Sequence, residues 1–480
     1  MKVLLVKPDV RVDQVVPSLG LGYLASSLCC SHDVAILDCQ KEGLSPSGFA
    51  EYVARTRPHC VGIQCYSYGL SLVREYVKAV KNVESRILTV IGGPHPTVAP
   101  EHALSFFGDD LTCAIRGEAE LSFSTLLDKI EKYHWVDEGI KKEVFHGIPG
   151  VIWSDRDGMH LSVSAIVEDV DFLDMPHWEL LQPASYPPSP SGAFSKRYPV
   201  APVSISRGCP YDCIYCSAGI ISGKKIRYRS IDKVIKEIKY LQSNFGIKEI
   251  HIVDDNFTML RKYVLSFCQK IIESNIDVLW TCPNGVRVDA LDEELVLAMK
   301  RAGCYSLSFG FESGSKRILN FIKKGTTSEM ARKAVDLVTR NGMEAHGFFI
   351  LGFPTETEEE MEETIRFSLE LNLTRANYFP FHPLPGTEAY RILKENGELK
   401  DVISDAHSYA DPVYAPKGTS LQGLKNIQRR AFLRFYLRPF TLWKLLSQIR
   451  SFQHLMFIFR RFKRWLLGGP SGSFSHRYFQ

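Results

Sequence analysis

The sequence predicts an α/β protein: an N-terminal doubly wound parallel sheet, then a partial (βα)6 barrel, then a C-terminal helical region. Three observations carry this. Short apolar runs alternate with amphipathic stretches over residues 2–134. A Pro- and Ser-rich stretch interrupts them within residues 143–200. From Pro202 the alternation resumes for six further units. The division expected is 1–135 for the first domain, 136–198 for a linker, 199–390 for the barrel and 391–480 for a basic helical region.

In the first half the strands are expected near Val3–Val6, Val34–Leu37, Cys60–Gln64, Ile87–Ile91 and Thr112–Ile115. Their near-continuous apolar character suits strands covered on both faces. Helical patterns such as Leu70–Lys81 and Glu118–Tyr133 fall between them. Ligands of such sheets bind beyond the carboxyl ends of the strands. The segment Ile148–Trp153 and the run from Pro183 to Pro190 read as a connector with one hairpin.

In the second half the strands are expected at Val203–Ser206, Ile250–Val253, Val278–Thr281, Tyr305–Phe309, Ala345–Leu351 and Arg375–Pro380. Helices separate them at Ile231–Ser243, Tyr263–Ser274, Leu291–Ala302, Ser328–Asn341 and Glu358–Leu371. Catalytic groups of such a barrel belong at the C-terminal ends of its strands.

Composition limits the function classes. Apolar residues are 45% and charged residues 23% of the 480, ordinary globular usage that excludes a mostly disordered, collagen-like or coiled-coil chain. Twelve cysteines in a chain this long do not suggest a disulfide framework. Met1-Lys2 runs straight into a strand-like Leu-Leu-Val, and no clean run of about 20 apolar residues occurs. A reducing, cytoplasmic location is the expectation. The net charge of +4 is unevenly placed: 13 of the 58 Lys/Arg follow Asp411, and no Asp or Glu does.

Just after the first strand of the second half stands Arg207-Gly-Cys209-Pro-Tyr-Asp-Cys213-Ile-Tyr-Cys216. Chance would supply only about 0.01 matches to this C-x3-C-x2-C spacing. Three thiolates on one loop can converge on one metal centre. Iron–sulfur clusters with full protein ligation take four cysteines, so three leave one iron open. Zinc is the alternative, and it would want a fourth Cys or His close by. The segment has none.

With Tyr215 before its third cysteine, the motif resembles that of radical S-adenosylmethionine (SAM) enzymes. Further signals fall at the expected strand ends: Asp254-Asp255-Asn256, Gly310-Phe-Glu312-Ser, Phe349-Ile-Leu-Gly352-Phe-Pro354-Thr-Glu356 and Pro383-Leu-Pro-Gly386-Thr387. The resemblance implies that Cys209, Cys213 and Cys216 hold a 4Fe-4S cluster. It implies SAM contacts from Tyr215, Asp254, Asp255, Glu312, Ile350 and Gly352. The family often has Gly two positions before Ile350, where this chain has Phe348. Taken singly, the aspartates read as helix caps, Glu312 as a surface carboxylate, and Gly352 and Pro354 as a turn.

The first half resembles the cobalamin-binding domain fused to one radical SAM branch. The resemblance rests on Pro17-Ser-Leu-Gly20-Leu-Gly22-Tyr23, Gly92-Gly93-Pro94-His95-Pro96 and Arg116-Gly117-Glu118. It implies cobalamin contacts from Ser18, Leu19, Gly20, Ser67, Gly92, Gly93, Pro94, His95, Gly117 and Glu118. Many cobalamin domains supply an axial histidine after the first strand, and that loop here has none. Cobalamin is therefore expected without a protein imidazole ligand, with His95 contacting the cofactor's tail or serving the structure. The alternative for this half is a flavodoxin-like or nucleotide-binding sheet, but neither GxGxxG nor GxxxxGK[ST] is present.

The resemblance implies an enzyme that reductively cleaves SAM to a 5′-deoxyadenosyl radical and, with cobalamin, methylates an unactivated carbon. A cobalamin-dependent oxidative cyclase, like the anaerobic porphyrin enzymes of this branch, is the alternative. A non-enzymatic iron–sulfur electron-transfer protein is a second. A small-molecule substrate, apolar or lipid-like, and a reducing partner such as flavodoxin or ferredoxin are expected. The basic aromatic segments Arg429–Arg438 and Phe457–Leu467 suit either an anionic membrane surface at the inner face or a helical cap on the barrel. Nucleic acid is not expected, since no RNA-binding module follows the barrel.

Overall fold

The computed structural model describes residues 1–10, 15–133, 141–187, 195–399, 410–447 and 449. The segment Phe457–Leu467 lies outside them, as does part of the Pro183–Pro190 run.

The first sheet contains β1 (Lys2–Lys7), β2 (Asp33–Asp38), β3 (Cys60–Gln64), β4 (Leu88–Gly92), β5 (Cys113–Ile115), β6 (Val151–Asp155) and β7 (Gly158–His160). Its order is β2-β1-β3-β4-β5-β6-β7, with the first five strands parallel and the last two antiparallel. Alternate side chains of β1 serve opposite cores. Val3 and Leu5 meet the helices Leu19–Leu28 and Glu120–Lys132, while Leu4 and Val6 meet Pro46–Thr56 and Leu70–Val83. Both faces are buried, which is why the strands lack polar alternation. The expected connector hairpin is β6–β7, and it extends the edge of this sheet rather than standing between the halves.

The second half begins at β8 (Val200–Val203), followed by a two-stranded antiparallel pair, β9 (Ser206–Arg207) and β10 (Arg227–Tyr228). It continues with β11 (Glu249–Ile252), β12 (Leu279–Val286), β13 (Cys304–Glu312), β14 (Glu344–Leu351) and β15 (Arg375–Pro380). The six-stranded sheet runs β8-β11-β12-β13-β14-β15, all parallel, and β8 does not pair with β15. The partial barrel is thus observed.

Two expectations are corrected in detail. The expected strand Val203–Ser206 is divided, because Ser206 leaves the sheet to pair with Tyr228. The strand expected to stop at Thr281 continues through Pro283, Asn284 and Gly285. Its ladder to β13 shifts register between Cys282 and Val286, the irregularity that lets a strand accommodate Pro and Gly.

The basic helix Leu421–Tyr436 lies on β15 and buries Leu424, Ile427, Ala431 and Phe435 in the barrel's core. Arg430 and Arg434 face outward to Glu362. Within the described residues, this apolar face is a barrel cap and is not free for a membrane. No described helix is long and apolar enough to cross a membrane.

Candidate functional site

The barrel's C-terminal strand ends gather the second-half residues named from sequence. Cys209, Cys213 and Cys216 occupy the loop between β9 and β10. Their loop is shaped by Gly208 at φ +105, where a Cβ would strike the carbonyl of Lys225. Cys209 N–H donates to Gly223 O at 3.0 Å, and Ile214 N–H to Ile322 O at 3.2 Å. Seven of the nine other cysteines are buried in the cores, whereas all three of this loop are at least partly accessible. Cys216 senses the charges of Cys213 and Cys209, and Cys213 that of Cys209. Burial raises both thiols, Cys216 to about 11. Among the described residues, no three His, Cys, Asp or Glu side chains already form a closed metal cage. The donor set nonetheless fits a cluster held by three thiolates with one open corner.

Tyr215 and Glu312 meet through a residue the sequence reading missed. Lys324 Nζ lies 2.8 Å from Glu312 Oε1 and 3.4 Å from Tyr215 Oη. The charge of Glu312 raises the lysine against the opposing effect of burial. Only the adjacency Lys323-Lys324 hinted at a cation here.

Asp254 is almost fully buried. Its carboxylate accepts from Ile205 N at 2.7 Å, from Ser206 N at 2.8 Å and from Ser206 Oγ at 2.6 Å. Burial raises it to about 7 despite those donors. It therefore secures the approach to the cysteine loop. Asp255 is exposed, bonds Ser222, and lies near enough to Cys216 to raise that thiol. Ile350 is half-buried beside Tyr215 and Ile214. Gly352 has φ +85 beneath Leu424, and its N–H donates to Glu356 Oε2 at 2.6 Å. Glu356, which the reading did not single out as a site residue, also accepts from Phe353 N at 2.9 Å. Burial pushes it up to about 8.

In the first domain, Ser18 caps the helix Leu19–Leu28 and donates to Gln64 Oε1 at 3.2 Å. Leu19 is half-buried against the core. A Cβ at Gly20 would meet no atom within 4 Å, and one at Gly92 only Ile115 O at 3.8 Å. Both present bare backbone at the sheet's ligand edge, a fit for a broad cofactor. A cleft of about 100 Å³ opens beside them, bounded by Lys7, Pro8, Gln64, Tyr66 and Tyr68. Gly93 turns the chain at φ +107 into the short helix Pro94–Val98.

His95 is wholly buried. Its Nδ1 lies 3.0 Å from Ser67 Oγ and its Nε2 lies 3.1 Å from His102 Nδ1. Both ring nitrogens are occupied, so His95 and Ser67 brace the loop from within. Gly117 and Glu118 point elsewhere than the other glycine loops. Gly117 bridges to Ala165, and Glu118 pairs with Arg227 and Arg207 of the second half.

The two loop systems meet. The helix Ala218–Ile221, just past Cys216, packs on Pro94–Val98. At Gly386 a Cβ would come within 3.0 Å of Val98 O and 3.5 Å of Ile220 Cδ1.

The model of the radical SAM superfamily matches residues 203–368, and that of the B12 binding domain matches 9–127. The uncharacterized methyltransferase PH0819 of Pyrococcus horikoshii is 33% identical over 477 residues, covering 97% of this chain and 98% of that protein. The anaerobic magnesium-protoporphyrin IX monomethyl ester cyclase of Rubrivivax gelatinosus is 27% identical over 435 residues, covering 88% of this chain and 76% of its own. The solved structure of the cobalamin-dependent SAM radical enzyme OxsB, with aqua-cobalamin and SAM bound, superposes with a TM-score of 0.69 at 16% identity. That match covers 96% of this chain and 70% of that one.

Proposed function

The chain belongs to the radical SAM enzymes that carry a B12-binding domain, and we propose that it methylates an unactivated carbon of a small molecule. The observation that carries this is the packing of the helix Ala218–Ile221, just past Cys216, on the helix Pro94–Val98, just past Gly93. It brings the cluster loop and the first domain's ligand edge to one interface. When bound, the cluster supplies the electron that cleaves SAM to a 5′-deoxyadenosyl radical, and cobalamin supplies the methyl group.

The chain's own residues do the rest. Cys209, Cys213 and Cys216 hold the cluster and leave one position open. Glu312 and Lys324, with Tyr215 beside them, present a balanced pair of charges to the amino and carboxylate ends of SAM. Asp254 locks the strand that feeds the loop, and Gly352 with Ile350 forms the apolar floor. Ser18, Leu19, Gly20, Gly92, Gly93 and Pro94 form the cobalamin edge. A flavodoxin- or ferredoxin-like donor supplies the electron. Methyl transfer is preferred to ring closure because a relative 33% identical over 97% of this chain carries a methyltransferase name, against 27% over 88% for the cyclase of Rubrivivax gelatinosus.

The test is anaerobic reconstitution of the full chain, reduction, and incubation with methyl-labelled SAM and a metabolite extract from a strain lacking the gene. The expected result is 5′-deoxyadenosine together with a product bearing the labelled methyl. A ring-closed product that carries no label would establish the cyclase alternative. The Cys209→Ala/Cys213→Ala/Cys216→Ala variant is expected to lose iron and nucleoside production together.

A further inference from the structure

The two feet of the cysteine loop are paired residues. Arg207 ends β9 and Arg227 begins β10, and they are register partners across that short ladder. The nineteen residues between them carry all three motif thiols. Both guanidiniums reach into the first domain and end on carboxylates just after β5: Glu118 in the turn and Glu120 at the start of the helix Glu120–Lys132.

Arg227 forms a two-pronged pair with Glu118: Nη1 to Oε2 at 2.7 Å and Nη2 to Oε1 at 2.9 Å. It also donates to Val167 O, and to Ser222 O at 2.6 Å within the loop itself. Arg207 Nη2 donates to Glu120 Oε1 at 2.7 Å, and its Nη1 lies 3.4 Å from Glu118 Oε1. The ring of Tyr23, on the helix Leu19–Leu28 that also carries Gly20, lies 4.9 Å from that guanidinium. Glu118 Oε2 further accepts from Val167 N at 2.6 Å. All four charged side chains are largely sequestered, from 4% to 17% exposed.

Two carboxylates therefore neutralise two guanidiniums in a largely buried seam, and the fork of Arg227 on Glu118 fixes direction as well as distance. Hydrophobic contact between domains would tolerate sliding. The two-pronged Arg227–Glu118 pair at one foot of the loop, with Arg207 bonded to Glu120 at the other, does not.

We infer that Glu118, Glu120, Arg207 and Arg227 are positioning residues: an inter-domain clamp that registers both ends of the three-cysteine loop against the first domain. This rests on the function proposed above, because the clamp matters to chemistry only if cluster and cobalamin act on one substrate. Gly117 belongs to the same device. Its positive φ turns Glu118 toward the seam, and a side chain there would collide with Ala165.

The test uses the full chain, with and without its cofactors, as wild type and as Glu118→Gln, Arg227→Lys and Glu120→Gln. Glu118→Gln keeps the shape and removes the charge. Hydrogen exchange is read over residues 208–226, and pulsed electron paramagnetic resonance reads the dipolar coupling between reduced cluster and cob(II)alamin. In Glu118→Gln, exchange is expected to rise about tenfold within that loop and not across the two cores. The cluster–cobalt coupling is expected to broaden while iron and cobalamin contents stay at wild-type levels. Arg227→Lys, with charge but no fork, is expected to fall between the two. Unchanged exchange and coupling in a folded, loaded Glu118→Gln protein would overturn the clamp. So would a rise spread evenly over both domains, which marks general destabilisation.

If Glu118→Gln yields no folded protein, Glu120→Gln decides the matter by the same readings, since Glu118 still spans both arginines there. Exchange in the cofactor-free chain does not depend on the chemistry. Absence of 5′-deoxyadenosine from wild type would therefore strike the proposed function and leave the clamp to stand or fall separately.

Discussion

Lys324 Nζ sits 2.8 Å from Glu312 Oε1, and the chain reaches that contact by holding Glu312 at φ +64 at the end of β13. A non-glycine residue in this region costs about 1–3 kcal/mol, so the fold sustains a strained backbone to aim one carboxylate. The pair is mostly buried, with 12% and 8% exposure for lysine and glutamate.

Lys324→Met removes one partner of a largely buried pair. It is expected to destabilise the chain by about 3–5 kcal/mol. It is also expected to lower 5′-deoxyadenosine formation by at least about tenfold, one lost charge-assisted contact in the transition state. Chemical denaturation and a nucleoside assay on reconstituted protein measure the two effects separately.

Gly310→Ala tests the same pair from below. The new methyl would lie 2.5 Å from Glu312 Oε1 and 3.1 Å from Lys324 Nζ. The side chains must yield, so SAM cleavage is expected to fall while the cluster's iron content is retained. Global stability is expected to drop by about 1–3 kcal/mol, the range for overpacking.

His95 gives stability a pH dependence. Burial lowers its pKa from 6.5 to about 3, with the neighbouring His102 adding to the effect. Between those values the unfolded chain binds a proton that the native ring refuses. The stability linked to His95 is complete above pH 6.5 and is lost as pH falls toward about 3. His95→Gln removes this component. The gap in melting temperature between wild type and variant is expected to narrow on going from neutral to mildly acid solution.

Leu424→Ala tests the cap. Leu424 is wholly buried and its Cδ2 would lie 2.7 Å from a Cβ at Gly352, so the helix holds the Gly352 turn from outside. A loss of about 2–5 kcal/mol is expected from the cavity. If the turn relaxes with it, the KM for SAM is expected to rise while iron content stays constant.

Much of this molecule was readable one segment at a time. Fully apolar strands separated by amphipathic helices marked both parallel sheets, because burial on two faces leaves no room for polar alternation. The spacing of Cys209, Cys213 and Cys216 marked the cluster loop, because ligands for one centre must lie within a loop's reach. The division of the strand at Ser206 was not readable, since Asp254, 48 residues away, binds Ser206 N and Oγ where the chain leaves the sheet. Nor was the continuation of β12 past Pro283, which only its neighbour β13 accommodates.

Glu118 shows the limit most clearly. Its place beside Gly117 at a strand end suggested a ligand contact, yet its carboxylate meets Arg227 from 109 residues away. Periodicity, turn chemistry and motif spacing are short-range properties, so they specified the elements and the cysteine loop. Which charges become partners across a domain seam depends on how two finished cores dock. That choice belongs to the folded whole, where burial makes each unpaired charge costly enough to find its counterpart.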